Sequence, residues 1–264
     1  MTVQDIVVGR EAGWIEIRIN RPDKLNSLRE QTAEEILGVL AEAEHDRDVR
    51  AVILSGSEKA FCTGIDTSEF QVAEGGYFDF YRFRKRSRMV NRLFKDVLGY
   101  TKPVISAVEG FALGGGLELA LAGDILIAGE KASFGLPEIK LGIMPGGGGT
   151  QTLPRLIGKP LAKELMWTGR RIGATDAERY RLVNHIVPAG EALTKAREVA
   201  GSIAGNAPIP VMMSKSVIDR GVDMSLADGF EAEGDASFLL YFTTDREEGL
   251  KAFREKRQPQ FRGE

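Results

Sequence analysis

The alternation of short apolar runs with helical segments is the feature that most limits how this chain can fold. Residues 6–8 and 14–19 have the character of two strands, and the second alternates apolar and polar residues with period two. Three further apolar runs predict buried strands, at residues 51–54, 103–108 and 124–128. Helical stretches at residues 81–98 and 117–122 lie between them. This order predicts an α/β or α+β fold, and the alternation alone does not fix how the strands wind.

Capping boxes predict where several helices begin. In such a box, a Ser or Thr side chain and a Glu side chain three residues later each satisfy a free backbone N–H group. The sequence offers three such pairs, at Ser27 with Glu30, Thr175 with Glu178, and Thr244 with Glu247. After the first box, apolar residues at helical spacing predict a buried stripe, at Ala33, Ile36, Leu40 and Ala43.

The character of the sequence changes after Pro188, where helical periods replace the strand-like runs. Candidate helices cover residues 189–204, 211–222, 226–240 and 244–256. We therefore predict a catalytic core over residues 1–205 and a C-terminal helical region over residues 206–264.

Charge and composition disfavour several classes of protein. The formal net charge is -3 at pH 7, so no global field attracts nucleic acid or an anionic membrane. A single cysteine, Cys62, cannot form an internal disulfide, which fits a reducing compartment. The first residues lack the basic and then apolar pattern of a signal peptide, and no run of about 18 uncharged apolar residues is present. We expect a cytoplasmic enzyme.

Residues 110–122 carry the strongest chemical signal. A predicted strand ends, Gly114, Gly115 and Gly116 follow, and an apolar helix begins. Such glycines let the backbone approach a ligand closely, and the N–H groups of a helix N-terminus suit an oxygen that becomes negative in a transition state. Glu118 lies in the first turn of this helix. It either stabilises the helix dipole, by about 0.3–1 kcal/mol, or acts as a general acid or base whose pKa is raised by burial.

A second glutamate has similar surroundings. Glu138 interrupts an apolar loop, residues 133–145, that Pro and Gly residues bound. Alone, such a residue is more often a cap or an ion-pair partner. Two glutamates that each lie beside a glycine-rich turn favour a paired acid/base site. Residues 60–66 form a further glycine-containing turn after a predicted strand, and this turn offers a second backbone donor.

Other kinds of catalytic site are disfavoured. His45 lies in a charged run and His185 in a strand-like run, and neither has metal-ligand spacing, so we expect no zinc site and no Ser-His triad. Residues 146–149 are four glycines followed by Thr150, which differs from the Lys and Ser or Thr of a phosphate P-loop. No dinucleotide fingerprint follows the first strand. Cys62 is interpreted as a packing residue because no His is placed to activate it.

Basic residues recur at helical spacing in residues 81–98. Three of them, Arg82, Arg84 and Arg86, accompany a stripe formed by Lys85, Arg88, Arg92 and Lys95. The opposite face is apolar, with Val90, Leu93, Phe94 and Val97. A solvated outer face is the simplest interpretation, and contact with ligand phosphates or with RNA is the alternative.

Taken together, these segments resemble the crotonase (enoyl-CoA hydratase/isomerase) superfamily over essentially the whole chain. The segments that carry the resemblance are residues 21–28, 61–66, 110–124, 134–138 with 146–151, 168–170, 182–184 and 252–259. The resemblance implies a spiral of ββα units. It also implies that the C-terminal helical region packs trimers, which are commonly paired into hexamers.

The resemblance further assigns roles to residues. The backbone N–H groups of Ile65 and Gly115 would hold the thioester oxygen, as an oxyanion hole. Glu118 and Glu138 occupy the two positions that hydratases of this family fill with catalytic glutamates, whereas isomerases typically keep only the second. The implied function is therefore an enoyl-CoA hydratase that needs no metal and no redox cofactor, with coenzyme A as part of the substrate. An isomerase, or another crotonase-type acyl-CoA lyase or hydrolase, is the alternative enzyme, and an RNA-binding protein is the alternative from a different class.

For the coenzyme A moiety and neighbouring parts of the substrate, the resemblance points to nine residues: Lys24, Leu25, Cys62, Gly64, Asp66, Gly114, Pro137, Gly146 and Lys256, the last from a neighbouring subunit. Two departures from the family pattern stand out. Residues 67–69 are Thr-Ser-Glu where the family often has a Lys near the coenzyme A phosphates, and Arg181 stands where it usually has Gly. Lys24, the basic helix or Lys256 are the candidates to replace the missing Lys.

An aromatic cluster follows the first oxyanion loop, where the family builds its acyl pocket. It consists of Tyr77, Phe78, Phe80, Tyr81 and Phe83. The cluster predicts either simple core packing or a wide, aromatic-walled pocket that accepts cyclic or branched enoyl groups.

Overall fold

The structure, a computed structural model, describes residues 3–70 and 80–264, with the backbone alone at residues 69, 70, 80, 82, 83, 85 and 86. The strands are β1 (Ile6–Glu11), β2 (Gly13–Ile19), β3 (Val49–Ser55), β4 (Ala60–Cys62), β5 (Val104–Val108), β6 (Phe111–Leu113), β7 (Ile125–Gly129), β8 (Ser133–Gly135), β9 (Ile172–Gly173) and β10 (His185–Val187). The helices are α1 (Glu30–His45), α2 (Phe80–Leu98), α3 (Gly115–Ala122), α4 (Gly149–Ile157), α5 (Lys159–Thr168), α6 (Ala174–Arg179), α7 (Ala192–Ala204), α8 (Pro208–Gly221), α9 (Leu226–Leu240) and α10 (Thr244–Glu255).

From β3 to β8, successive strands alternate between two sheets, which gives the chain its spiral course. The large sheet has the order β1-β2-β3-β5-β7-β10, and its pairs are parallel except for β1 with β2. The small sheet has the order β4-β6-β8-β9, with β8 and β9 antiparallel. Units of two strands and a helix therefore repeat, as β3-β4-α2, β5-β6-α3 and β7-β8-α4. The predicted α/β class and the spiral of ββα units are confirmed.

Both faces of the inner strands β3 and β5 of the large sheet are buried. Successive side chains of a strand point to opposite sides, so each strand contributes to two cores. On β3, Val52 and Leu54 enter the main core, which also contains apolar residues of α1, α2, α3 and the small sheet. Ala51 and Ile53 point the other way, toward α7. That helix contributes small side chains at helical spacing: Ala192, Ala196 and Ala200.

Helix α1 begins later than its predicted capping box. Leu25 and Asn26 have φ angles of 48° and 58°, a left-handed conformation that cannot continue into a helix. The box at Ser27 is therefore wrong. Helix α1 starts after Arg29, whose N–H group donates to Thr32 Oγ1 at 3.3 Å. The predicted apolar stripe is confirmed, since each of its residues is buried: Ala33, Ile36, Leu40 and Ala43.

The other two predicted boxes are also wrong, the first by two residues and the second by one. Thr175 lies inside α6, which follows Gly173, a residue without a side chain to act as a cap. Thr244 lies inside α10, and the cap is Thr243, whose Oγ1 accepts from the N–H group of Arg246 at 3.3 Å. Ser225 caps α9 in the same way through the N–H group of Asp228.

The chain is predominantly helical from Pro208 to Glu255, and α8 packs against α9. Every residue of these two helices is at least partly exposed. Among the residues that the structure describes, no helix combines the length and apolar character needed to cross a membrane.

Candidate active site

The loop after β4, which the sequence predicts to be the first oxyanion loop, fixes the direction of one backbone N–H group at the wall of a cavity. After β4, Gly64 turns the chain with φ 98°, and its carbonyl oxygen accepts from the N–H group of Leu28 at 2.7 Å. The C=O and N–H groups of a trans peptide unit point in opposite directions. The N–H group of Ile65 belongs to the same unit as the Gly64 carbonyl, so it points away from Leu28. Ile65 lines the cavity described below.

The second amide comes from the start of α3. Gly114 has φ 54°, and its carbonyl oxygen accepts from the N–H group of Glu118 at 3.0 Å, along the helix. By the same planarity, the N–H group of Gly115 points out of the N-terminus of α3. The two loops are in contact, since a Cβ atom on Gly64 would lie 3.2 Å from the Gly115 nitrogen. Neither the Ile65 nor the Gly115 N–H group has a hydrogen-bond partner among the described residues.

Glu118 is held by the glycine-rich loop rather than by its own helix. It is 4% exposed, and its Oε1 atom accepts from the N–H groups of Gly147 and Gly149, both at 2.8 Å. Burial raises the pKa of Glu118, and these two hydrogen bonds partly offset the effect. The glycines are required here, because a Cβ atom on Gly147 would lie 2.3 Å from the Phe94 ring and 2.7 Å from Glu118 Oε2.

Glu138 starts a short 3-10 turn after β8 and has very different surroundings. Its Oε2 atom is buried and lacks a hydrogen-bond partner among the described residues. Burial, aided by the negative charge of Glu118, raises the pKa of Glu138 to about 7. A Cβ atom on Gly114 would lie 3.0 Å from Glu138 Oε1, so this carboxyl group lies beside the N-terminus of α3.

One cavity of about 640 Å³ brings these groups together. Both glutamates line it, with Ile65 and Gly115. Predicted substrate-binding residues in its wall are Gly64, Gly114, Pro137 and Gly146. The rest of the wall is largely apolar and includes residues that the sequence did not single out for the site: Val90, Phe94, Leu141, Ile143 and Met144. The cavity therefore combines two carboxyl groups and two amides with a mainly apolar lining.

Four other predicted substrate-binding residues lie outside the described wall of this cavity. Lys24 and Leu25 are exposed on the turn before α1, and the Leu25 carbonyl accepts from Thr63, a cavity residue, at 3.1 Å. Asp66 is 7% exposed and pairs with Arg21, Nη2 to Oδ2 at 2.9 Å. Lys256 is exposed at the C-terminus of α10.

Cys62 is also absent from the described wall of the cavity. It is fully buried, and burial raises the pKa of its thiol to about 12. A Cβ atom on Gly116 would lie 2.0 Å from the Cys62 carbonyl oxygen, so β4 packs directly against α3 at this point. The predicted substrate contact of Cys62 stays a prediction, and its interpretation as a packing residue fits the structure.

Helix α2 presents two faces. Val90 and Phe94 point inward and line the cavity, whereas Arg88 and Arg92 are exposed, and Arg92 pairs with Asp96. The RNA-binding alternative is not tested by this arrangement.

The predicted aromatic pocket also stays untested. Tyr77, Phe78 and the side chains of Phe80 and Phe83 lie outside the described residues. Tyr81 is 83% exposed and is absent from the described wall of the cavity.

Sequence reasoning missed two parts of the site. The N–H groups of Gly147 and Gly149 hold a carboxylate, although the sequence indicated only that this glycine run is no P-loop. Leu28 orients the amide of Ile65 from a turn that is distant in sequence. The glycine run was itself a signal, because adjacent glycines mark close backbone approach. The contact of Leu28 had no local signal.

Comparisons with known proteins agree over nearly the whole chain. The family model for enoyl-CoA hydratase/isomerase matches residues 9–264. A short-chain-enoyl-CoA hydratase of Clostridium acetobutylicum is 40% identical over 262 residues, which cover 98% of this chain and 97% of that relative. The mitochondrial enoyl-CoA hydratase domain-containing protein 2 of Homo sapiens is 42% identical over 265 residues, covering 97% and 88%.

Solved structures give the same result. The crystal structure of an enoyl-CoA hydratase from Bacillus anthracis matches with a TM-score of 0.93 and 42% identity, covering 99% of this chain and all of that one. A structure of an enoyl-CoA hydratase from Mycobacterium tuberculosis matches with a TM-score of 0.85 and 32% identity, covering 98% and 99%. With the family model matched over residues 9–264, the chain belongs to the enoyl-CoA hydratase/isomerase family.

Proposed function

We propose that this protein adds water across the α,β double bond of an enoyl-CoA thioester. The observation that carries the proposal is the convergence of Glu118, Glu138 and two outward-facing amides on one largely apolar cavity. The relatives named as enoyl-CoA hydratases support it.

The two amides stabilise the charge that develops on the thioester oxygen. As water attacks the β-carbon, electrons move toward the carbonyl and produce an enolate-like oxyanion. The N–H groups of Ile65 and Gly115 are fixed before the reaction, so they need no reorganisation when this charge appears. One such donor is typically worth about 3–4 kcal/mol of transition-state stabilisation.

The different surroundings of the two glutamates suggest different roles. Glu118, with one oxygen fixed by two N–H groups, accepts a proton from the attacking water. Glu138, with a pKa of about 7, retains a proton near neutral pH and delivers it to the α-carbon. The hydroxyl group then resides on the β-carbon, and proton exchange with solvent restores both carboxyl groups. The reaction is neutral in redox terms and has residues for every proton transfer, so it needs neither a metal nor a redox cofactor.

The coenzyme A moiety is proposed to leave the cavity past Gly64, Gly114, Pro137 and Gly146. Lys24 and Leu25 lie on the exposed turn that contacts Thr63 at the cavity wall, which suits them to the nucleotide end of the substrate. Asp66 contributes by holding the first oxyanion loop, and Lys256 would come from a neighbouring subunit.

The proposed assembly is a trimer or hexamer formed through residues 206–264. Large apolar side chains of this region are 63% to 83% exposed in the single chain: Leu226, Phe230, Phe238, Phe242 and Phe253. Exposed apolar area of this kind marks an association surface.

A cytoplasmic location is also proposed, and imaging of the tagged protein tests it.

The decisive experiment follows the loss of enoyl-thioester absorbance with crotonyl-CoA. Glu118→Gln and Glu138→Gln should each lower kcat by orders of magnitude while coenzyme A still binds, because each loses a proton-transfer group. Glu16→Gln is the matched control, since Glu16 is buried but bonds Ser55 and Arg197 away from the cavity. A normal rate in either cavity variant removes that glutamate from the mechanism. A β,γ-enoyl thioester assayed in parallel separates hydration from isomerisation.

A further inference from the structure

The turn before α1, residues 21–28, is bound along its length to the loop that carries Ile65, residues 60–66. Two side-chain hydrogen bonds join them at a distance from Ile65: Asn26 Nδ2 to the Ala60 carbonyl at 2.7 Å, and Thr63 Oγ1 to the Leu25 carbonyl at 3.1 Å. Asn26 is fully buried. The oxyanion loop is therefore shaped against a second piece of backbone rather than by its own sequence alone.

Leu28 holds the loop on both sides of Ile65. Its N–H group donates to the Gly64 carbonyl at 2.7 Å, and its carbonyl accepts from the N–H group of Asp66 at 2.8 Å. These two bonds fix the peptide units before and after Ile65. The direction of the Ile65 N–H group thus depends on where the backbone of Leu28 lies.

Arg21 fixes the peptide unit that joins Ser27 to Leu28. Its side chain is 12% exposed, Nη1 donates to the Ser27 carbonyl, and Nη2 donates to Asp66 Oδ2 at 2.9 Å. The Ser27 carbonyl and the Leu28 N–H group belong to one planar unit, so holding the carbonyl directs the N–H group toward Gly64. The Gly64 carbonyl and the Ile65 N–H group form the next unit.

We propose that Arg21 is a positioning residue for the oxyanion amide of Ile65 and acts through these two successive peptide units. The inference rests on the proposed function only in taking the Ile65 N–H group as the donor to the thioester oxygen. Arg21 contributes orientation and also polarisation. A cation that donates to a carbonyl makes the N–H group of the same unit a stronger donor, and the effect passes along a hydrogen-bonded chain.

Asp66 holds the loop on the C-terminal side of Ile65. Besides Arg21, its Oδ1 atom accepts from Ser68 Oγ at 2.7 Å and from the Ser68 N–H group at 3.1 Å. Burial alone would raise the pKa of Asp66, but the hydrogen bonds from Ser68 and Arg21 outweigh it and lower the pKa. The ion pair is therefore intact across the neutral pH range, where the enzyme would work.

The first test measures kcat and KM for crotonyl-CoA hydration. Arg21→Met should lower kcat about 10- to 100-fold, less than the loss of a whole oxyanion donor, with KM changed by at most about threefold. Arg21→Lys should recover part of the loss, because it keeps the charge but loses the guanidinium group, whose two nitrogens contact Ser27 and Asp66. Lys215→Met is the matched control: Lys215 also joins a carboxylate, Asp124 at 2.7 Å, to a carbonyl, Lys102 at 3.2 Å, away from the cavity.

The second test reads carbonyl polarisation directly. Bound 2,4-hexadienoyl-CoA should absorb at longer wavelength than the free thioester, and Arg21→Met should reduce this shift. Both proteins also carry Glu118→Gln, so that the probe is not consumed during the measurement. A wild-type kcat or a wild-type shift in Arg21→Met overturns the inference. If Arg21→Met does not fold, the same result in Arg21→Lys overturns it. An isomerase or hydrolase with the same oxyanion hole would still shift the probe. Failure of hydration therefore counts against the proposed function and not against the role of Arg21.

Discussion

At the scale of single residues, two identical side chains differ because of what surrounds each carboxyl group. Glu118 is buried but has one oxygen bonded to two N–H groups, which compensates part of the cost of burying a charge. Glu138 has a buried oxygen without a partner in the described structure and faces the charge of Glu118. The neutral form of Glu138 is therefore favoured, and we assign it the role of proton donor.

This assignment predicts the pH dependence of kcat/KM. Glu138 must be protonated to donate, so activity should fall as pH rises through about 7. Because the two carboxyl groups interact, the measured midpoint belongs to the pair. Steady-state rates from pH 5 to 9 test this, and Glu138→Gln should lack the alkaline decline in its residual activity. An increase of activity through pH 7 would instead make Glu138 the base.

The same residue predicts a stability effect. The pKa of Glu138 rises on folding, from 4.5 to about 7, so its contribution to stability is full below about pH 4.5 and is lost as pH rises through about 7. At about 1.4 kcal/mol per pKa unit, this loss is at most about 3.5 kcal/mol, and it is smaller where solvent screens the charge. Glu138→Gln should therefore unfold at higher urea concentration than wild type at pH 8, with a smaller difference at pH 5. Equal differences at both pH values would contradict the raised pKa of this buried carboxyl group.

Arg181 illustrates how a residue follows its surroundings against its own preference. It adopts φ 64°, the left-handed conformation that Gly favours, where the family usually has Gly. The N–H groups of Arg181 and Leu182 donate to the Glu178 and Ala177 carbonyls at 2.8 Å. These hydrogen bonds close the C-terminus of α6 with Arg181 in the left-handed conformation.

At the scale of elements, the glycine-rich loop before α4 serves as the ligand of a carboxylate. Its N–H groups reach Glu118 only because Gly147 carries no side chain between Phe94 and the carboxyl group. The start of α3 is similar, since Gly116 lets that helix lie directly on the backbone of Cys62. Both sites are places where two backbones approach one another.

Replacement of Gly147 by Ala should therefore damage the site. The added Cβ atom would lie within 2.4 Å of two atoms of the buried Phe94 ring, so the loop must move and the fixed oxygen of Glu118 loses its donor. We expect kcat to fall about 10- to 100-fold, because a misplacement of about 1 Å has effects of that size. Gly201→Ala in α7 is the control, since nothing lies within 4 Å of its added Cβ atom. Wild-type kcat in Gly147→Ala would show that the loop does not set the position of Glu118.

At the scale of the whole molecule, the two parts of the chain are stabilised differently. The spiral core buries both faces of the inner strands of its large sheet, whereas every residue of α8 and α9 is at least partly exposed. Phe238 and Phe242 contact each other edge to face, with ring centroids 5.3 Å apart, yet both are largely exposed. A surface of this kind is stabilised when another chain covers it.

The proposed assembly predicts a molar mass of three or six times that of one chain in light scattering. Replacing Phe238 and Phe242 by Ser should lower this mass or weaken the assembly, because the apolar contact area is lost. Val8→Ser, at an exposed apolar residue of β1 outside residues 206–264, is a control that should leave the mass unchanged. A wild-type mass equal to one chain at micromolar concentration would contradict the trimer.

Local patterns were enough to predict most strands of the large sheet, most of the helices and the main chemical groups, because apolar periodicity and glycine runs record which backbone must be buried or closely approached. The short strands of the small sheet (β4, β6, β8 and β9) and the helices α4 and α5 were not predicted. The capping box at Ser27 failed because of a nonlocal contact: Asn26 bonds the Ala60 carbonyl and adopts a left-handed conformation, which delays α1. Tertiary structure alone decided that Glu118 Oε1 accepts two hydrogen bonds whereas Glu138 Oε2 has no partner among the described residues. It also decided that Leu28 and Arg21 direct the amide of Ile65. The physical reason is that a pKa and the direction of an N–H group depend on atoms brought close in space, whose spacing along the chain follows no period.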